Sequence, residues 1–182
     1  LYIGNPPYVR HHQITPAWKD WLFEQAAHLG HRASKLAGLH VHFFLATARK
    51  ARAGDFGAFI TASEWLDVNY GSLVRALVLR ELGGQSITVI EPTAQPFPDA
   101  ATTAAITTFE IAAKPASIFF RRIANLRGLD SLNKGRKVNR DRINAQSRWS
   151  HLTHPADKPP EGYVELGELC RVHRGQVTGA NS

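Results

Sequence analysis

The sequence predicts an α/β fold, and three observations carry that prediction. Apolar patterns of helical period alternate with short apolar runs bounded by turn residues. The last two strand-like runs are separated only by a proline-rich loop, close enough to pair antiparallel. The chain has 182 residues, 43% of them hydrophobic. It contains no apolar run of about 18 residues, so it suits one globular unit with an appendage and supports neither a signal peptide nor a membrane span.

Taken in order, Leu1-Tyr2-Ile3-Gly4 reads as the end of a buried strand. With turn-rich residues closing the chain and no methionine anywhere, an internal piece of a longer protein is expected. Thr15-Pro16 is a helix start, a hydroxyl cap followed by proline at the first helical position. Trp18, Trp21, Leu22, Gln25, Ala26 and Leu29 then repeat at helical spacing up to Gly30. Residues 35–52 are apolar almost all round and predict a helix packed tightly on a sheet. Residues 56–62 form a buried strand after the Ala53-Gly54-Asp55 turn. Asn69 is the expected cap of a further helix through Leu82, closed by Gly83-Gly84. Residues 87–90 make a short strand, 92–98 a loop, and 102–111 a long β-branched strand.

After Lys114-Pro115 the chain becomes basic and less regular, and Pro155 with Pro159-Pro160 marks a boundary. The expected units are therefore 1–113, a basic connecting segment 114–160, and the start of another region at 161–182. Net charge is +7. Ten basic residues between Lys114 and Arg148 face only Asp130 and Asp141, a local surplus of eight that exceeds the whole chain's. Such a concentration favours a polyanionic partner through charge attraction and counterion release. The single cysteine, Cys170, excludes an internal disulfide framework and makes a reducing cytoplasm the default.

Asn5-Pro6-Pro7-Tyr8, directly after the first strand, is the most informative feature. Average residue usage makes this tetrapeptide a chance event in about one chain per thousand of this length. Two prolines fix φ twice and remove two backbone donors, leaving a stiff loop of acceptors flanked by an amide and an aromatic ring. That is a site for an –NH2 group. Hydrogen bonds from a conjugated amine to the Asn5 side-chain oxygen and the Pro6 carbonyl favour a pyramidal nitrogen with its lone pair free. Tyr8 can stack on the ring that bears the amine and hold it in line.

Gly4-Asn5-Pro6-Pro7-Tyr8 resembles the catalytic motif of amino-methyltransferases. The downstream order is similar to DNA adenine N6-methyltransferases of restriction-modification systems, especially large single-chain ones. The matching features are an apolar helix, loop and strand (39–59), the segment Ala62-Ser63-Glu64-Trp65-Leu66, and Phe97-Pro98 before a final hairpin strand. Ser63 stands where that family often has proline. The resemblance implies the C-terminal half of a Rossmann-like methyltransferase sheet, parallel strands ending in an antiparallel hairpin strand. Catalysis would fall to Asn5, Pro6, Pro7 and Tyr8, with Tyr8 and Phe97 stacking on a flipped-out adenine. S-adenosylmethionine would be the cofactor, touched here by Asn5 and Pro6. The family's glycine-rich loop and acidic partner would lie upstream of Leu1, so the 182-residue chain alone is expected to bind cofactor poorly. Residues 174–181 resemble the opening of a target-recognition region. Arg10, Lys134, Arg136, Lys137, Arg140 and Arg174 are candidates to contact double-stranded DNA.

The histidines, including His11-His12 and His40-x-His42, come with no HExxH or CxxC spacing, so no metal is expected. No phosphate-binding Walker loop and no Gly-x-Ser-x-Gly elbow occurs. The same loop also serves methyltransferases acting on a protein glutamine amide, and a DNA-binding piece with a vestigial loop is the non-enzymatic alternative.

Overall fold

A computed structural model describes residues 1–94, 103–131, 135–154, 162–164 and 169–170. Six strands form one sheet in the order β1-β2-β4-β3-β5-β6. They are β1 (Tyr2–Gly4), β2 (Phe56–Ala62), β3 (Gly84–Ile90), β4 (Ala104–Glu110), β5 (Ser117–Ile123) and β6 (Arg136–Asn139). β1, β2, β3 and β5 run parallel to one another, while β4 and β6 run against them. β4 is the hairpin return of β3 and inserts between β2 and β3, with Ile60 and Thr88 both opposite Ile106. The expected antiparallel pairing of the last two sequence-predicted strands is thus present. All four parallel strands deliver their C-terminal ends to one edge of the sheet, the edge where ligands bind in open α/β folds.

The helices are α1 (Pro16–His28), α2 (Leu39–Lys50), α3 (Ser72–Leu79) and α4 (Arg140–Asn144). α1 starts as expected, with Thr15 extended and Pro16 at the first position, and Gly30 leaves the helix at φ +73°. α2 is shorter than the apolar pattern suggested: residues 35–38 precede it as loop, and Gly38 is its N-cap. Asn69 does not cap α3. It opens a 3-10 turn, Asn69–Gly71, and Gly71 precedes the helix.

One face of the sheet carries the main core. Phe44 of α2 meets Phe59 of β2 edge to face at 5.2 Å, and Phe59 meets Phe109 of β4 at 5.3 Å. Leu73, Val74, Leu77 and Val78 of α3 join the same cluster, with Ile118, Phe120 and Val138 of β5 and β6 and the indole of Trp149. At the C-terminal end of β3, Ile90, Ala94, Ala104 and Ile123 make a second, small cluster.

The region after Lys114 departs from expectation. Periodicity marks no strand there, yet β5 and β6 extend the sheet by two strands. The arginines of β5 hid its pattern. Ile118, Phe120 and Ile123 are buried, while Arg122 reaches Glu91 at 3.6 Å and the Thr153 hydroxyl at 3.3 Å. The chain beyond β6 is tied back by Asp67, whose carboxylate accepts from the backbone N–H of Trp149 (3.1 Å) and Ser150 (3.0 Å). Among the described residues, no helix is long and apolar enough to cross a membrane.

Candidate active site

Gly4 ends β1, and the chain leaves the sheet edge through Asn5-Pro6-Pro7-Tyr8. Pro6 is buried and anchors the loop, while Asn5, Pro7 and Tyr8 are exposed. The Val9 N–H donates to the Pro7 carbonyl at 2.9 Å, a tight three-residue turn with Tyr8 at its apex. Val9 in turn accepts from the Leu39 N–H at 3.0 Å, fixing the loop's exit to the first turn of α2. Among the described residues, no backbone N–H donates to the Pro6 carbonyl. The loop's own bonding therefore engages Pro7 and leaves the acceptor that the amine reading requires.

The loop forms one wall of a cavity of about 740 Å3 at the C-terminal edge of the parallel strands. Asn5, Tyr8 and Arg10 line it, so two of the four sequence-predicted catalytic residues and one basic candidate share a single space, while Pro6 and Pro7 are not among its lining residues. Tyr8 is 43% exposed, and partial burial raises its phenol pKa above the ordinary value, keeping it a neutral ring. The remaining walls come from residues that sequence reasoning did not assign to the site: His40 from α2, and Glu64 and Tyr70 from the turns after β2. Tyr70 donates to the Glu64 carboxylate at 2.7 Å, and burial together with that carboxylate pushes its pKa up to about 12. His40 is buried at the loop's back. Desolvation holds its pKa down to about 4, against a smaller opposing pull from Glu64, so the imidazole is neutral.

The scaffold of these walls is strongly bonded. The buried Arg75 guanidinium donates to the carbonyls of Trp65 and Val68, and the Trp65 indole donates to the Thr61 hydroxyl at 3.2 Å. Sequence pattern singled out Ala62-Ser63-Glu64-Trp65-Leu66 only as a resemblance. In the fold, Trp65 and Leu66 are its buried anchors and Glu64 its cavity-facing member.

The basic candidates lie elsewhere. Arg136, Lys137 and Arg140 sit on β6 and the start of α4, at the opposite edge of the sheet from β1. Lys137 is exposed, Arg136 reaches the His154 carbonyl at 3.4 Å, and burial lowers the Arg140 pKa. Phe97, Lys134 and Arg174 lie outside the described residues. Among the described residues, no group of three or more histidine, cysteine or carboxylate side chains could hold a metal ion.

Parallel strands with an inserted antiparallel return, and a proline-stiffened loop at the end of the edge strand, define an open α/β sheet with a cavity at its strand ends. Comparison with known proteins specifies the family. Residues 2–94 match the model of the Eco57I restriction-modification methylase, and the chain belongs to that family. It is 53% identical over 180 residues to the Type II methyltransferase M.XamI of Xanthomonas campestris pv. amaranthicola, covering 99% of this chain and 34% of that protein. It is 24% identical over 191 residues to the Type II methyltransferase M.AccI of Acinetobacter calcoaceticus, covering 98% of this chain and 35% of the relative. The chain thus spans about a third of the length of these curated relatives. Among solved structures, the type IIG restriction endonuclease BpuSI shares the fold with a TM-score of 0.61, at 17% identity over 83% of this chain and 20% of that one.

Proposed function

We infer that this chain carries the methyl-acceptor half of a DNA methyltransferase acting on the N6 amine of a flipped-out adenine in double-stranded DNA. The single observation that carries the reading is the loop itself. Asn5 projects into the cavity, the Pro6 carbonyl takes no described backbone donor, and Tyr8 sits at the apex beside both. Membership of a restriction-modification methylase family supports DNA as the substrate.

The residues present fit S-adenosylmethionine in part: the cavity opens at the strand edge where such ligands bind, and its loop offers Asn5. When bound, that molecule supplies a sulfonium-linked methyl group that is open to nucleophilic attack. The protein's contribution is to prepare the nucleophile. The adenine amine is a poor one because its lone pair is delocalised into the ring. Donating both N–H groups, to the Asn5 Oδ1 and the Pro6 carbonyl, pyramidalises the nitrogen and frees the lone pair. The loop would hold that nitrogen toward the methyl group the cofactor supplies, and the extra amine proton would leave to solvent after transfer. Tyr8 stacks on the base and holds it in line, an orientation effect that lowers the entropic part of the barrier. The base must first leave the duplex, and the breadth of the cavity at the loop accommodates it.

The test uses the full-length protein with tritiated cofactor and duplex DNA. Label in N6-methyladenine is expected, and Asn5→Ala should lower the rate at least about a hundredfold, the scale for losing one preorganised polar contact to the reacting group. Label on protein glutamine instead of DNA would replace this reading, and unchanged methylation by Asn5→Ala would remove the loop from catalysis.

A further inference from the structure

Apart from the cavity at the acceptor loop, the strand ends hold a second crevice, of about 470 Å3, between the loops that follow β3 and β5. The order of the sheet explains why it lies there. β3 and β5 are parallel neighbours, but their connections leave in opposite directions. The chain after β3 returns through β4 on the side of β2, and the chain after β5 returns through β6 on the other side. Loops that part in this way leave a gap at the carboxyl ends of their strands, the point where open α/β sheets take ligands. Periodicity marks no strand after Lys114, so this point could not be located from sequence.

The crevice is held in shape by bonds between its two loops. The Glu91 N–H donates to the Ile123 carbonyl at 2.9 Å, and the Thr93 hydroxyl donates to the Ala124 carbonyl at 3.4 Å. The Gly128 N–H closes a turn onto the Asn125 carbonyl at 3.2 Å. A Cβ at position 128 would come within 2.9 Å of the Ile123 side chain, so this turn lies tight on the end of β5. The lining includes the exposed Arg127 and Asn125, and among the described residues no carboxylate lines it. Glu91, at the root of the first loop, is already paired with Arg122 at 3.6 Å. A guanidinium and an amide without an opposing negative charge suit an oxyanion, and the planar guanidinium fork matches a phosphate in particular.

We propose that this crevice binds a backbone phosphate of the substrate DNA, with Arg127 supplying the charge and the Asn125 amide a neutral donor. The inference rests on the DNA reading above. β1 and β5 stand four strand spacings apart in the sheet, roughly 19 Å along the edge that also carries the acceptor loop. At 3.4 Å per nucleotide that is about five or six nucleotides. A duplex lying along the strand ends, with its base in the cavity, therefore brings a phosphate to the crevice well outside the reacting nucleotide. Such a contact fixes the register of the duplex and carries no sequence information.

The test measures binding of the full-length protein to a duplex that it methylates, with one phosphate at a time replaced by an uncharged methylphosphonate. At one position several nucleotides from the target adenine, the unmodified protein should lose about tenfold in affinity, the scale of one charge-assisted contact. With Arg127→Ala that loss should shrink to less than about twofold, while losses at other positions persist. Arg127→Ala should also flatten the dependence of log affinity on log salt by about 0.9. Affinity and salt slope unchanged in Arg127→Ala would overturn the proposal. So would a pattern of methylphosphonate losses that is the same in both proteins, since Arg127 would then touch no phosphate. Absence of label from duplex DNA with the unmodified protein would instead defeat the DNA reading itself, and this inference with it.

Discussion

At the scale of single residues, burial sets the charge states around the cavity. His40 and His42 are both held neutral, chiefly by desolvation, and for His42 backbone hydrogen bonds with Trp18, Gly38 and Leu39 only partly offset this. The consequence for stability has a definite sign. Between the ordinary histidine pKa of 6.5 and about 4, the unfolded chain binds a proton at position 40 that the folded chain does not. Stability must therefore fall as pH drops through that window and level off below it. His40→Leu removes this contribution, so its melting temperature should fall less between pH 7 and pH 5 than that of the unmodified protein. An equal fall in both, followed by calorimetry, would show that the imidazole is charged in the fold. Asp67 responds at lower pH: burial raises its pKa, but hydrogen bonds from Ser150 and Trp149 and the nearby Arg148 outweigh that and leave it lowered. Sequence reasoning reached Asn5 and Tyr8 because rigid acceptors in tandem are a local property. It missed His40, Glu64 and Tyr70 because they join the cavity wall only when α2 and the end of β2 are folded against the loop.

At the scale of elements, legibility followed how local the determining forces are. Thr15-Pro16 and Gly30 frame α1 by backbone constraints written in a few residues, and its bounds came out close. β5 and β6 were illegible for the opposite reason. Their arginines and lysine look like a solvated run until Glu91, Thr153 and the neighbouring strand are supplied from elsewhere in the fold. β2 depends on an equally non-local fit. Gly57 stands opposite Phe109 in register, and a Cβ at position 57 would overlap the Phe109 ring, which already packs on Phe59. Gly57→Ala should destabilise the protein by about 1–3 kcal/mol, the usual range for overpacking. Because the two sites touch, the penalty should not add: Phe109→Leu in the same chain should recover part of it. Urea unfolding of the two single variants and the double variant measures this coupling, and strict additivity would show that the ring moves aside freely.

At the scale of the whole molecule, the sheet separates chemistry from charge. The acceptor loop leaves β1 at one edge, and the exposed cations Lys137 and Arg142 sit on β6 and the helix that follows it, at the other. Five strand spacings of about 4.8 Å place these edges roughly 24 Å apart, about seven base pairs along a duplex at 3.4 Å per pair. If DNA lies across the strand ends with its base in the cavity, these cations meet phosphates well away from the reacting nucleotide. They should then strengthen binding without reading sequence. In the full-length protein, replacing Lys137 and Arg142 together by alanine should weaken binding to target and unrelated duplexes alike. It should also flatten the dependence of log affinity on log salt by about 0.9 for each phosphate contact removed. Titrations at several salt concentrations give that slope directly. A slope unchanged in the double variant would mean that these cations serve solubility and that the duplex is held by other surfaces.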